Sequence, residues 1–216
     1  MNIDAILFDM DGVVVDSMPF HADAWKRVLN EYGLVLEDVD ILRREGMTGR
    51  QSVEEIFIEK DRPVPGDREF HDLMAKKHAI FEECRIELFP RIGEILSWVK
   101  SRGVRTALVT GSPRRSVRHV MPDEVLCRFD AVIAAEDVSK GKPDPEPYLK
   151  ALDALGVRAG RSLIIENAPM GIRAARAAGI PCFALETTLP RRYLKGADRI
   201  FSGHEDLLEF LKSSFT

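Results

Sequence analysis

Short apolar runs alternate with longer amphipathic stretches along most of this chain, and that alternation restricts its fold more than any other feature. The runs predicted to be strands are 3–8, 104–109, 131–135, 162–165 and 181–185. Runs that are apolar nearly throughout are typical of strands buried on both faces, as in a parallel sheet with helices on each side. We therefore expect an α/β protein with a doubly wound parallel sheet.

Helices are predicted between these strands from apolar residues at helical spacing and from glycines placed as stop signals. The predicted helices and their glycines are 92–99 with Gly103, 145–155 with Gly156, and 172–178 with Gly179. A further helix is predicted to start at about residue 113, where Pro113 can occupy the first turn.

One segment lacks strand patterns and is predicted to fold as helices and turns. It spans residues 16–87, and its candidate helices are 19–31, 39–44, 52–59 and 67–84. We expect it to form a helical cap inserted into the core, which would consist of residues 1–15 and 88–216.

Composition excludes several classes of protein. With 216 residues and a formal net charge of -4, the chain lacks the basic surface of a nucleic-acid-binding protein. Its three cysteines contain no CxxC pair, which disfavours a disulfide framework or structural zinc site. We find no export signal and no apolar stretch of about 20 residues, so no membrane association is expected. We expect a soluble, cytoplasmic monomer or weak dimer.

Acidic residues follow the first predicted strand. Asp9 and Asp11 come directly after it, with Gly12 next. Two carboxylates so close raise one another's pKa unless a cation neutralises them, and oxygen ligands around a phosphate-bound Mg²⁺ are the usual solution. The alternative is a solvated acidic turn.

Three other strand ends carry polar groups suited to phosphate chemistry. They are Thr110-Gly111-Ser112, Lys142 within Gly141-Lys142-Pro143-Asp144-Pro145, and Glu166-Asn167. Because ligands bind beyond the carboxyl ends of parallel strands, these groups are expected to meet Asp9 and Asp11. Each also has a structural alternative: a plain turn with Ser112 as helix N-cap, an exposed basic turn, and N-capping by Asn167.

The order of these motifs resembles that of the haloacid dehalogenase-like hydrolase superfamily, over nearly the whole chain. Within it, the chain resembles the β-phosphoglucomutase-like and sugar-phosphate phosphatase subgroup, which has a Rossmannoid sheet and a type-1 helical cap. The superfamily motifs are matched by Asp9 with Asp11, by Thr110, by Lys142, and by Glu166 with Asn167. The subgroup likeness rests on 8–13, Asp16-Ser17, His21 with Ala24-Trp25, and 141–145.

This resemblance implies a Mg²⁺-dependent phosphatase acting on small phosphorylated metabolites, sugar phosphates first among them. Asp9 would attack phosphorus to form an aspartyl-phosphate, and Asp11 would act as acid and base. The implied metal ligands are Asp9, Asp11 through its backbone carbonyl, and Glu166 or Asn167. The implied substrate-binding residues are Thr110, Gly111, Ser112, His21 and Arg50, with Lys142 balancing phosphate charge.

Two departures from the subgroup bear on activity. Asn167 stands where an acid is usual, and weaker metal binding is the expected consequence. Glu45 stands where the mutases carry a lysine, which ranks a β-phosphoglucomutase-type mutase below a phosphatase. A non-catalytic protein on the same scaffold is disfavoured because Asp9, Asp11 and Lys142 are all present. The run Lys76-Lys77-His78 is interpreted as a solvated helix face.

Overall fold

The computed structural model describes residues 2–214 and, within them, contains one six-stranded parallel sheet. Its strands lie in the order β3-β2-β1-β4-β5-β6. They are β1 Ala5–Phe8, β2 Arg105–Val109, β3 Ala131–Ile133, β4 Ser162–Glu166, β5 Cys182–Leu185 and β6 Arg199–Phe201. The predicted α/β class with a parallel sheet is confirmed.

Helices fall into two groups along the chain. Those before β2 are α1 Met18–Asn30, α2 Asp38–Leu42, α3 Gly49–Glu59, α4 Asp67–Glu82 and α5 Ile92–Ser101. Those after β2 are α6 Arg114–Val120, α7 Asp123–Leu126, α8 Glu146–Leu155, α9 Pro169–Ala177 and α10 His204–Ser214. Single turns of 3₁₀ helix lie at Ala135–Asp137, Ala159–Arg161 and Arg191–Tyr193.

Both faces of the sheet are covered by apolar side chains, as the near-continuous apolar strands require. One face packs against α5 and α10 through a cluster that includes Phe8, Leu96 and Leu211. The other packs against α8 and α9 through a cluster that includes Leu7 and Tyr148. This two-sided burial explains why the strands lack polar–apolar alternation.

The register of the central strand brings the polar strand ends together. Phe8 of β1 is paired with Leu108 of β2 on one side and with Ile165 of β4 on the other. The residues that follow these three positions therefore leave the sheet at one edge. Asp9, Thr110 and Glu166 lie there.

The helical segment between β1 and α5 has an apolar core of its own. Its buried cluster includes Trp25, Leu29, Phe57 and Leu73. The two linkers to the sheet run side by side: Val15 bridges Leu88, and the Asp16 amide donates to the Glu87 carbonyl at 2.9 Å. We propose that the cap spans 16–87, as the sequence suggests, and we refer to this segment as the cap below.

Candidate active site

A cavity of about 90 Å³ lies between the sheet edge and the cap. The sheet contributes Asp9, Asp11 and the turn from Thr110 to Ser112. The cap contributes apolar groups and a set of polar side chains that includes His21, Glu45 and Lys77. A small polar ligand would therefore contact both parts of the molecule.

Lys142 joins the first and fourth strand-end motifs. Its ammonium group donates to Oδ1 of Asp9 and, at 2.8 Å, to Oε1 of Glu166. The side chain is buried, with 1% of its surface exposed. Burial alone would lower the pKa of Lys142, but the Asp9 and Glu166 carboxylates outweigh it and raise that pKa. Lys142 is thus a permanent positive charge beside Asp9.

Glu166 is fully engaged by protein donors. Its Oε1 also accepts from the Tyr148 hydroxyl at 2.8 Å, and its Oε2 accepts from the backbone amides of Asn167 and Ala168 at 2.8 and 3.0 Å. A Cβ at Gly171 in α9 would lie 1.5 Å from Oε1, so only glycine fits there. Both oxygens therefore position Lys142 and the turn after β4, and each already accepts two hydrogen bonds.

Asp11 is held as a carboxylate by hydroxyl and imidazole groups. Ser17 and Ser112 donate to it at 2.5 and 2.9 Å, Thr110 lies at 3.3 Å, and Nε2 of His21 lies at 3.1 Å. Burial favours the neutral acid, but His21 and the two serine hydroxyls outweigh it and lower the pKa of Asp11.

Lys77 is a polar residue of the site that sequence reasoning missed. The prediction of a solvated face is wrong for Lys77 and His78, whose exposed fractions are 6% and 9%, whereas Lys76 pairs with Glu31 at the surface. The sequence does contain a signal for the burial of Lys77: it lies four residues from both Leu73 and Phe81, on the apolar side of α4.

The ammonium of Lys77 lies 2.8 Å from Nδ1 of His21, and the His21 ring stacks on Phe81. Burial lowers the pKa of Lys77 to about 8. Burial and the Lys77 ammonium lower the pKa of His21, against the opposing effect of Asp11. The cap thus contacts Asp11 through a chain of two buried side chains.

Arg50 is not brought to the cavity. Its guanidinium pairs with Asp67 at 2.5 Å and lies 3.9 Å from the centre of the Phe70 ring. These contacts direct it along the surface of the cap. The arrangement gives no support to the expected substrate contact by Arg50, whereas His21, Thr110, Gly111 and Ser112 all line the cavity.

The cap touches the sheet edge through backbone as well as side chains. A Cβ at Gly111 would lie 2.8 Å from the carbonyl oxygens of Gly46 and Met47. A Cβ at Gly141 would lie 2.8 Å from side-chain atoms of Thr48 and Gln51. Glycine at these positions therefore permits the close approach of the two parts.

Several buried oxygens at this site accept no hydrogen bond. They are Oδ2 of Asp9, Oδ1 of Asn167 and Oε1 of Glu45. Buried oxygens without donors are costly, and such oxygens are the ligands that Mg²⁺ takes. Within residues 2–214, no three histidine, cysteine, aspartate or glutamate side chains converge as a metal site. The free donor set fits Mg²⁺ only as a mixture of carboxylate and amide oxygens.

Burial and mutual repulsion disfavour the ionised forms of two carboxyl groups at this site. Burial and the neighbouring Asp9 carboxylate raise the pKa of Glu45 well above its usual value. Burial raises the pKa of Asp9 as well, although Lys142 opposes it. A bound cation would favour the ionised form of each group.

Comparison with known proteins agrees with this geometry. Residues 3–179 match the family described as haloacid dehalogenase-like hydrolases. The phosphorylated carbohydrates phosphatase of Thermotoga maritima is 32% identical, over 82% of each chain. The β-phosphoglucomutase of Bacillus subtilis is 28% identical, over 96% of this chain and 93% of that protein.

A solved structure shows the same fold over nearly the whole of this chain. It is described as a candidate β-phosphoglucomutase from Bacteroides vulgatus, with 32% identity and a TM-score of 0.89 over 98% of this chain and 88% of that one. The chain belongs to the haloacid dehalogenase-like hydrolases. It is an enzyme of the phosphoric monoester hydrolase class, similar to sugar-phosphate phosphatases and β-phosphoglucomutases.

Proposed function

We propose that the enzyme is a Mg²⁺-dependent phosphatase that hydrolyses small phosphorylated metabolites, mainly sugar phosphates, through an aspartyl-phosphate. One observation carries the proposal: Lys142 binds one oxygen of Asp9, while the other oxygen faces no donor at the cavity edge. Lys142 thus neutralises the Asp9 carboxylate at the edge of the cavity, where a nucleophile for phosphorus is needed. The Thermotoga maritima relative is named for phosphorylated carbohydrates.

Several residues of the site would have separate roles in phosphoryl transfer. Thr110 and the backbone amides of Gly111 and Ser112 bind the phosphate oxygens, and Lys142 offsets their negative charge. In the free enzyme Asp11 is ionised, which is the form that accepts a proton from the attacking water. The negative charge of a bound phosphate raises the pKa of a nearby carboxyl group. Substrate thus favours the protonated Asp11 that the first step needs.

The cation site would be formed by Asp9, Asn167 and the backbone of Asp11, with Glu166 positioned behind it. When bound, Mg²⁺ would supply positive charge that reduces the repulsion between the Asp9 carboxylate and the phosphoryl oxygens. The donor-free oxygens of Asp9 and Asn167 support this assignment. The occupied oxygens of Glu166 favour Asn167 as the direct ligand of the pair.

The proposed setting is the cytoplasm, without nucleic-acid or membrane partners and as a monomer or weak dimer. Cys84, Cys127 and Cys182 are free thiols, as is typical of a reducing compartment. No helix within residues 2–214 combines the length and the apolar character needed to cross a bilayer.

A β-phosphoglucomutase activity is the second candidate. It is favoured by the contact of His21 with Asp11 and by the full-length similarity to the Bacillus subtilis enzyme. Against it, the cap places Glu45 beside Asn167, and an acid there adds no positive charge for a sugar bisphosphate. Conversion of β-glucose 1-phosphate to glucose 6-phosphate that depends on a bisphosphate primer would reverse this ranking.

A substrate panel tests the proposal. We would measure phosphate release from p-nitrophenyl phosphate and a series of sugar phosphates, with Mg²⁺ and with EDTA, for the wild type and Asp9→Asn. We expect release that requires Mg²⁺ and falls about 10³-fold or more in the variant. Equal release by both proteins would show that the activity is a contaminant, and no release from any substrate would refute the phosphatase assignment.

A further inference from the structure

We propose that Glu45, which belongs to the cap, is a ligand of the divalent cation, so that cation binding fastens the cap onto the sheet. The inference rests on the proposed Mg²⁺ dependence and extends it to a residue outside the sheet. It makes cap closure a consequence of metal binding as well as of substrate binding.

The first argument is the position of the Glu45 carboxylate. Its Oε2 accepts a 2.9 Å hydrogen bond from Nδ2 of Asn167, which fixes the amide so that Oδ1 is its remaining polar atom. Thr188 accepts the second hydrogen of Nδ2 at 2.8 Å. Oε1 of Glu45 and Oδ1 of Asn167 are both buried and accept no hydrogen bond. Each residue of this hydrogen-bonded pair thus has one buried oxygen without a donor.

The second argument is the number of carboxylates that the sheet can offer. Hard cations such as Mg²⁺ are usually bound through one or more carboxylates. Both oxygens of Glu166 are occupied by protein donors, and Asn167 is neutral. At the sheet edge, within residues 2–214, the carboxylate oxygen that accepts no hydrogen bond is therefore Oδ2 of Asp9. Glu45 Oε1 is the other donor-free carboxylate oxygen at this cavity within residues 2–214.

The third argument is that the loop carrying Glu45 is pressed against the sheet edge. Gly46 has a φ of +87°, and a Cβ there would lie 2.8 Å from Cδ of Lys142. The carbonyl groups of Gly46 and Met47 lie against Gly111. Glu45 reaches Asn167 only while this loop is docked. A cation shared by Glu45 and Asp9 would therefore stabilise the docked loop.

Cation affinity gives the direct test. Isothermal titration of the full chain with Mn²⁺ and with Mg²⁺ would compare the wild type, Glu45→Gln and Glu54→Gln. The Gln side chain at 45 keeps an acceptor for Asn167 but removes the charge, whereas Glu54 lies on the outer face of α3, 4.0 Å from Arg50. We expect Glu45→Gln to weaken binding about 10-fold or more and Glu54→Gln to bind as the wild type does.

A second variant and a second readout keep the test independent of folding and activity. Adding Asn167→Asp to Glu45→Gln restores a carboxylate on the sheet side, and we expect it to recover cation affinity. Hydrogen exchange of the amides at 44–48 should slow when Mg²⁺ is added to the wild type, and less so in Glu45→Gln.

The outcomes separate the two proposals. Two results would overturn the role of Glu45 without affecting the proposed phosphatase activity. They are a cation affinity of Glu45→Gln equal to that of the wild type, and an amide exchange rate at 44–48 that does not change when Mg²⁺ is added. A wild type that binds neither cation would overturn the Mg²⁺ dependence itself.

Discussion

Nζ of Lys77 and Nδ1 of His21 are 2.8 Å apart, although the two residues belong to different helices and are separated by 56 positions in the chain. Trp25 and Phe81 lie 5.5 and 4.9 Å from the same ammonium group, at their ring centres. A buried lysine without a carboxylate partner in contact costs free energy while it is charged. The burial of this ammonium group therefore makes stability depend on pH.

Lys77→Met should stabilise the protein most at neutral pH. The pKa of Lys77 is about 8 in the folded chain, against an ordinary value of 10.5. Below pH 8 Lys77 is charged in both the folded and the unfolded state, so the full cost of burying the charge is present. Between pH 8 and 10.5 Lys77 is neutral in the folded state but still protonated in the unfolded state. The free energy of unfolding of the wild type therefore rises relative to that of Lys77→Met over this range. Over this pH range the stability advantage of Lys77→Met over the wild type should shrink by about 3 kcal/mol in all.

Urea denaturation at pH 7, 8.5 and 10 would measure this difference, with Lys76→Met on the exposed face of α4 as the control. We expect the advantage of Lys77→Met to shrink as pH rises, and the control to show no such trend. A Lys77→Met advantage that is constant across this range would contradict the assignment of pH dependence to Lys77.

Lys142→Met should be strongly destabilising. Removing the ammonium leaves Asp9 and Glu166 as buried carboxylates without their shared partner. We expect a loss of about 3–5 kcal/mol in the free energy of unfolding. Thermal and urea denaturation would measure it against Lys140→Met, whose exposed side chain is in the same loop. A Lys142→Met melting temperature equal to that of the control would be inconsistent with a charged, buried Lys142.

Gly111→Ala should hold the cap away from the sheet edge. The added methyl group would meet two backbone carbonyl oxygens at 2.8 Å, and backbone cannot yield as a flexible side chain can. We expect a rise in KM and a fall of about 10-fold in kcat/KM, with little change in melting temperature. Gly93→Ala, where the methyl group meets open space, is the control. Unchanged kinetics in Gly111→Ala would mean that this contact is not needed for closure.

Asn167→Leu should weaken cation binding more than Glu166→Gln does. The first change removes the donor-free oxygen Oδ1, while the second alters a carboxylate whose oxygens already bind protein groups. We expect about a 10-fold loss for Asn167→Leu and a smaller one for Glu166→Gln, by titration with Mn²⁺. The reverse order would assign direct ligation to Glu166.

The sequence was sufficient to predict which strand ends meet, because that follows from a parallel sheet. Asp9, Thr110 and Lys142 are far apart in the chain, yet a turn after an apolar run can only emerge at the carboxyl edge of the sheet. Strand β6 and helix α10 were not predicted: β6 is a three-residue edge strand that begins with an exposed arginine, so it lacks the apolar run that marks the other strands.

The cap was less predictable, because its side chains depend on how helices pack. Lys77 is buried because α4 turns it toward His21, and only its helical spacing between Leu73 and Phe81 distinguishes it from Lys76 in the sequence. The resemblance implies a substrate contact for Arg50, and in the structure its guanidinium contacts Asp67 and Phe70 from α4. Each outcome depends on a tertiary contact that single-residue patterns do not encode.

The paired linkers at Val15 and Leu88 have a consequence for how such enzymes diversify. The chain departs from the sheet and re-enters it at adjacent points, where the Phe89 amide donates to the Val14 carbonyl at 3.0 Å. A segment whose ends are neighbours can be lengthened, shortened or exchanged while the strands keep their pairing. The helical segment can therefore change in length and sequence without disturbing the pairing of the strands to which its two ends are joined.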